Sequence, residues 1–209
     1  MGLSAQVAQQ LLMIKAVKLS PNQPFTWASG ILSPIYCDNR IVLSHPEARK
    51  IVKKGFVKMA SQFGDFDVVA GVATAGIPHG ALLADALNLP FIYVRDKPKS
   101  HGRQNQIEGE LQEGQRVLVI EDLISTGGSS LKAIEAIVEA GGKIAGILAI
   151  FTYGFQEATE LFQSRDIPMM TLSDYNQLID EALKLNYISS GDLESLKIWR
   201  KDPKNWRNP

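Results

Sequence analysis

The residues best able to do chemistry stand together in VLVIEDLISTGGSS, Val117–Ser130. An apolar run ends in two adjacent acids, Glu121 and Asp122, and a Ser-Thr-Gly-Gly-Ser turn then opens a helical pattern. Gly127 and Gly128 let the backbone curl close to a ligand. The turn offers successive N–H groups, and the hydroxyls of Ser125, Thr126, Ser129 and Ser130, at a helix N-terminus, where the helix dipole favours a phosphate. Two carboxylates beside an anion site would repel a bare polyphosphate, so hydroxyl groups or a metal must lie between them and it. A ribose 5-phosphate meets both demands, with hydroxyls to the acids and phosphate to the turn. The plainer alternative is a capped helix with solvated acids at a strand end.

Two further segments bear on the same chemistry. GVATAG, Gly71–Gly76, has the two-glycine spacing of a P-loop, but Ile77 and Pro78 stand where Lys and Ser or Thr are required. Its small residues, Ala73–Gly76, still allow backbone amides to approach a second anion, or simply make a tight turn. No GxGxxG follows a strand, which argues against a dinucleotide fold. RDKPKSHGRQNQIEGEL, Arg95–Leu111, holds Arg95, Lys97, Lys99, His101 and Arg103, with Asp96 the one acid before Glu108. Pro98 and Gly102 disfavour regular structure there, so a long loop is expected. Beside a phosphate site it is a candidate lid over a polyanion, and otherwise a solvated basic loop.

The elements that must hold these residues are legible as runs and periods. Asp67–Val72, Pro90–Val94, Arg116–Glu121 and Ile144–Phe151 are short Val- and Ile-rich runs, continuous rather than alternating, as in strands covered on both faces. Between them, His45–Phe63, Ile77–Leu87 and Ser129–Ala140 have helical period, the last stopping at Gly141-Gly142. This order predicts an α/β fold, a central, mostly parallel sheet flanked by helices, with ligands at the carboxyl ends of the strands. Pro21–Arg40 suits short strands and turns. With the N-terminal helix, residues 1–40 are expected to form much of a cap, or hood, over the sheet edge of a single domain spanning 1–209. Two helical segments follow between Asp174 and Trp199, and WRKDP, Trp199–Pro203, ends the regular structure.

Composition sets outer bounds. At 209 residues a chain buries roughly 70% of its extended surface and needs no staple. The 22 basic and 22 acidic residues cancel, so there is no global electrostatic reason to bind nucleic acid or an anionic membrane. Cys37 is the one cysteine, which excludes an intrachain disulfide and a Cys-rich metal site, and the three histidines have no zinc-like spacing. No stretch reaches the ~18–20 apolar residues of a membrane span, and Met1–Leu19 lacks the order of a signal peptide. A soluble, cytoplasmic protein is expected.

The acidic pair with its turn resembles the 5-phosphoribosyl 1-diphosphate motif of type I phosphoribosyltransferases. The RxKxKxHG pattern, the FTWxSGxxSPIYCDNR segment and the terminal WRKDP extend the likeness over nearly the whole chain, to the orotate phosphoribosyltransferase family. The resemblance implies the type I phosphoribosyltransferase fold and transfer of ribose 5-phosphate to orotate, giving orotidine 5′-monophosphate and diphosphate in pyrimidine synthesis. It implies Mg2+ as cofactor, bound mainly through substrate rather than by the protein alone. It implies a homodimer in which the Arg95–Gly109 loop reaches the neighbouring site.

Carried onto this chain, the likeness assigns the ribose hydroxyls to Glu121 and Asp122, and the 5-phosphate to Leu123, Ile124, Ser125, Thr126, Gly127, Gly128 and Ser129. Thr74, Ala75 and Gly76 would meet the diphosphate through backbone groups, with Arg95, Lys99 and His101 reaching it from the loop. Lys99, His101 and Asp122 would carry the catalysis. Ser125, Tyr36, Cys37 and Tyr153 would face orotate. The chain departs from the pattern where Ala28 and Ala75 replace lysines, Asp96 replaces a loop lysine that Lys97 could supply, and Tyr153 stands where an arginine meets the orotate carboxylate. Backbone N–H groups near Ser29–Leu32 are the candidate substitutes. The rivals are a purine-base phosphoribosyltransferase, whose loop would not carry RxKxKxHG, and a regulatory nucleic-acid-binding relative, which neutral charge disfavours.

Overall fold

Uninterrupted Val and Ile runs form strands when both faces of the sheet are covered, and that is how the core is built. The computed structural model describes residues 2–27, 29–96 and 106–206. It opens with α1 (Leu3–Met13), β1 (Val17–Leu19), β2 (Phe25–Thr26), β3 (Leu32–Ser33) and β4 (Ile35–Cys37), and a 3-10 helix over Asn39–Ser44. Then come α2 (Pro46–Ala60), β5 (Val68–Val72), α3 (Gly76–Leu87), β6 (Phe91–Val94) and β7 (Ile107–Glu108). The rest is β8 (Arg116–Ile124), α4 (Gly128–Glu139), β9 (Lys143–Thr152), α5 (Gln156–Gln163), β10 (Met169–Asp174), α6 (Tyr175–Lys184) and α7 (Leu193–Lys201).

Six strands form one sheet in the order β10-β9-β8-β5-β6-β7, parallel except where β7 pairs antiparallel with β6. Successive residues of a strand point to opposite faces. In β8, Leu118 and Ile120 join a cluster with α1, α2 and α6, while Val117 and Val119 join one with Ile134 and Ile137 of α4 and Phe162 of α5. Both faces are dry, which is why the run is apolar at every position.

Local signals set the helix ends. Pro46 starts α2 with Glu47 in its first turn. Asp174 caps α6 by accepting from the N–H groups of Asn176 and Gln177. After α4, Gly141 takes φ +89°, its N–H donating to Val138 O and that of Gly142 to Ile137 O, a Schellman ending at the expected glycines.

The structure differs from the expectation in three places. The strand expected to stop at Glu121 runs on to Ile124, because β9 continues beside it and pairs Leu123 with Phe151 and Ile124 with Thr152. The segment expected to be a loop up to Leu111 contains β7, which adds to the sheet edge at Tyr93 and Val94. A sixth strand, β10, lies at the opposite edge where no strand was expected. The N-terminal segment makes two small ladders, β1 with β4 and β2 with β3, and α1 packs on α2, α6 and the edge strand β10. Among the described residues no helix is long and apolar enough to cross a membrane.

Candidate active site

The extension of β8 carries both acids within the strand, above the carboxyl end of the sheet. Glu121 is buried, 5% exposed. One oxygen accepts from the Ser130 hydroxyl of α4 at 3.2 Å and the other from the Asp122 N–H at 3.0 Å. Burial pushes its carboxyl well above the usual range, and the Asp122 charge adds to this. Asp122 is half-buried, and burial raises its carboxyl too, against hydrogen bonds that pull it down. The pair therefore holds protons more tightly than free carboxyls do.

The turn after β8 is shaped by Gly127, whose φ of +85° is left-handed and whose added Cβ would lie 2.8 Å from the Phe162 ring. Only glycine fits there. No side chain caps α4, so its first-turn N–H groups are left for solvent or an anion. The Thr152 hydroxyl ties this turn to β9, donating to Ile124 O at 2.9 Å and accepting from Gly154 N–H at 3.0 Å. Beside it, the turn from Ala73 to Ala75 follows β5 with a cis peptide between Ala73 and Thr74. α3 begins at Gly76, where an added Cβ would collide with Ile120 O, so the helix start is seated directly on β8.

These parts wall a cavity of about 450 Å³ formed by Cys37, Asp38, Arg40, Ala73–Ala75, Glu121–Leu123, Ser125 and Ser129. A second cavity of about 290 Å³ adjoins it, lined by Thr26, Trp27, Tyr36, Cys37, Leu123, Ser125 and Tyr153. Cys37, Leu123 and Ser125 belong to both walls. The first is acidic on its floor and lies beside α4's N-terminus, as a sugar phosphate requires. The second is aromatic: Tyr153 is 3% exposed and lies 5.2 Å from Trp27, 5.4 Å from Phe155 and 5.8 Å from Trp199 between ring centres. Its flat, half-polar wall suits a heterocycle.

A family model described as "Phosphoribosyl transferase domain" matches residues 38–181. The orotate phosphoribosyltransferase of Listeria monocytogenes is 56% identical over 207 residues, covering 99% of each chain. The chain belongs to the orotate phosphoribosyltransferase family. Solved structures agree with this. The orotate phosphoribosyltransferase of Aeropyrum pernix superposes with a TM-score of 0.76 at 28% identity, over 88% of this chain and 99% of that one. Leishmania donovani UMP synthase gives a TM-score of 0.80 at 28% identity, over 95% of this chain and 42% of the longer one.

Set against the motifs of an orotate phosphoribosyltransferase, the structure brings Thr74, Ala75, Glu121, Asp122, Leu123, Ser125 and Ser129 to one cavity and Tyr36, Cys37, Ser125 and Tyr153 to the other. Ile124 has a fully buried side chain and its carbonyl is taken by Thr152. Thr126 lines a third cavity with Arg200 and Glu157. Arg95 follows β6, with its guanidinium 3.5 Å from Glu108 and its N–H bonded to Gln106 O. Lys97, Lys99, His101, Arg103 and Ala28 lie outside the described residues.

Of the backbone groups near Ser29–Leu32, the Gly30 N–H already donates to Trp27 O at 2.8 Å. No cationic side chain lines the aromatic cavity among the described residues. The sequence reading passed over Asn39, Asp38, Arg40, Thr26 and Trp27. Asn39 is fully buried, donates to Asp122 O at 2.7 Å and accepts from the Cys37 thiol at 3.4 Å, so it joins the N-terminal segment to β8. Burial, and the acids Asp122 and Asp38, push that thiol well up, so Cys37 is present as a neutral donor.

Proposed function

We propose that the chain transfers the 5-phosphoribosyl group of 5-phosphoribosyl 1-diphosphate to orotate, releasing diphosphate and forming orotidine 5′-monophosphate in pyrimidine biosynthesis. The observation that carries this is the pair of adjoining cavities that share Cys37, Leu123 and Ser125, one acidic beside a helix N-terminus and one aromatic. A phosphorylated ribose in the first directs its anomeric carbon toward a base in the second.

Displacement at that carbon builds positive charge on the ribose and negative charge on the departing diphosphate. Asp122, open to the cavity, accepts a ribose hydroxyl, and its charge favours the developing cation. Glu121 uses its remaining lone pairs for the other hydroxyl. The N–H groups from Leu123 to Ser129 wrap the 5-phosphate, and those of Thr74–Gly76 meet the diphosphate. Arg95 exchanges Glu108 for the leaving group, joined by Lys99 and His101. Orotate attacks as a ring-nitrogen anion between Tyr36, Cys37 and Tyr153, so no strong protein base is needed.

Among the described residues no three His, Cys, Asp or Glu side chains gather to hold a metal ion. Magnesium, held mainly by the substrate rather than by the protein alone, would supply positive charge to the leaving group. The active form is a cytoplasmic homodimer whose Arg95–Gly109 loop closes over the neighbouring site and excludes competing water. The test is spectrophotometric: purified protein consumes orotate only with both donor and magnesium present. Consumption of adenine, guanine or hypoxanthine in place of orotate would overturn the reading.

A further inference from the structure

We infer that the C-terminal helix α7 positions the walls of the base cavity, with Arg200 acting as the positioning residue for Tyr153 and Gly154. This rests on the reading above that the aromatic cavity takes the base. Arg200 does not line that cavity. Its guanidinium instead reaches three acceptors: Tyr153 O at 3.3 Å, Gly154 O at 3.2 Å and Asn176 Oδ1 at 3.1 Å. One planar fork thus pins the end of β9 to the start of α6.

The preceding residue braces Trp27, which also lines the base cavity. Trp199 is fully buried and donates its indole N–H to Leu32 O at 3.2 Å, across 167 residues of sequence. Its ring meets Trp27 at 5.6 Å edge-on and Tyr153 at 5.8 Å edge-on. Trp27 and Tyr153 are two walls of the base cavity, 5.2 Å apart. Trp199 thus touches both Trp27 and Tyr153, Arg200 holds the backbone of Tyr153, and together they fix where these two lining rings stand. Gly154 leaves the space for this: its φ is +68° and an added Cβ would lie 3.1 Å from an Arg200 nitrogen. The acidic cavity is out of their reach, since no residue lining it is bonded to either of them.

Selective damage to base binding follows. Arg200→Ala leaves two backbone carbonyls without their charged donor, and a loss of this kind corresponds to about tenfold or more in binding. Steady-state kinetics of the full-length protein should show KM for orotate raised about tenfold or more, with KM for the diphosphate donor held within about twofold. Arg200→Lys, which keeps charge but not the fork, should recover part of the loss, and Trp199→Phe should show the same selectivity. Binding of orotate without turnover, by equilibrium dialysis, should weaken in parallel.

A structural role alone would lower the active fraction and leave both KM values in place. Unchanged KM values, or equal rises for both substrates, would overturn the inference. If Arg200→Ala fails to fold, Arg200→Lys and Gly154→Ala carry the same test with the same two outcomes. Wild-type protein that uses a different base would remove the orotate reading, and the positioning role would then be judged on the KM for that base.

Discussion

Replacing Glu121 with glutamine should stabilise the empty protein while damaging its activity, and the gain should depend on pH. The wild-type carboxyl is 5% exposed and has one neutral hydroxyl and one N–H for partners, with Asp122 adjacent. Burial raises its folded-state pKa well above the usual carboxyl value of 4.5. Between those two values the folded chain keeps a proton that the unfolded chain has lost. Stability is therefore full below the ordinary value and falls as pH rises, by at most about 1.4 kcal/mol per pH unit. From pH 5.5 to 7.5 the ceiling is about 2.7 kcal/mol, and glutamine, which carries no such proton, escapes it. For a chain of this size each kcal/mol moves the melting point by roughly 2–4 °C. Thermal melts without substrate or divalent metal should show the variant gaining about 2–10 °C on wild type between pH 5.5 and 7.5. Asp122 shifts in the same direction, so the difference between variant and wild type, rather than either curve alone, isolates Glu121. A gain of equal size at every pH would make it a packing effect. A variant that loses ground to wild type as pH rises would refute the reasoning.

Three other outcomes follow from the same geometry. Asp122→Asn should lower turnover by about 10²-fold or more with the fold retained, because the shape survives and the charge facing the cavity does not; near-normal turnover would contradict its role. Gly127→Ala forces a side chain into φ +85° against the Phe162 ring, so it should cost about 2–3 kcal/mol, lower the melting point and weaken donor binding, and calorimetry showing no change would count against the described turn. If the proposed shared-loop dimer holds, Lys99→Ala and Asp122→Asn, each nearly inactive alone, should on mixing and reassortment regain roughly a quarter of wild-type activity, since about half the dimers would be mixed and each would restore one of two sites. No recovery, with subunit exchange verified, would place the loop over its own subunit's site.

What was legible in the sequence was what is local in the sequence. The turn from Glu121 to Ser129 is contiguous, so its acids, glycines and hydroxyls point to the proposed phosphate site before any fold is known. The inner strands are equally plain, because burial on both faces leaves no polar position in Val68–Val72. β10 escaped notice for the opposite reason. As an edge strand it reads MMTLSD, with partly exposed positions and no run of Val and Ile. The aromatic cavity was reachable only through the resemblance, since its walls come from residues 26–37, 123–125 and 153. Asn39 and Trp27 have no local signature. Asn39 acquires its role through a bond to Asp122 O across 83 residues, and Trp27 through rings at 153 and 199.

The position of the strand end changes what the acidic pair is. A strand that stopped at Glu121 would leave both acids in a turn, free to point alike. β8 continues beside β9 through Ile124, but the faces exchange across the pair: Val117 and Val119 share the α4-side cluster with Ile124, and Leu118 and Ile120 share the opposite one with Leu123. Glu121 is met by Ser130 of α4 and is 5% exposed, at the wall of the cavity. Asp122 is half-buried and lines the same cavity, to which the N-terminal segment brings Cys37, Asp38 and Arg40. Neighbours in sequence thus differ in burial while lining one cavity. That difference explains why neutralising Glu121 should register in stability as well as in activity, and neutralising Asp122 chiefly in turnover.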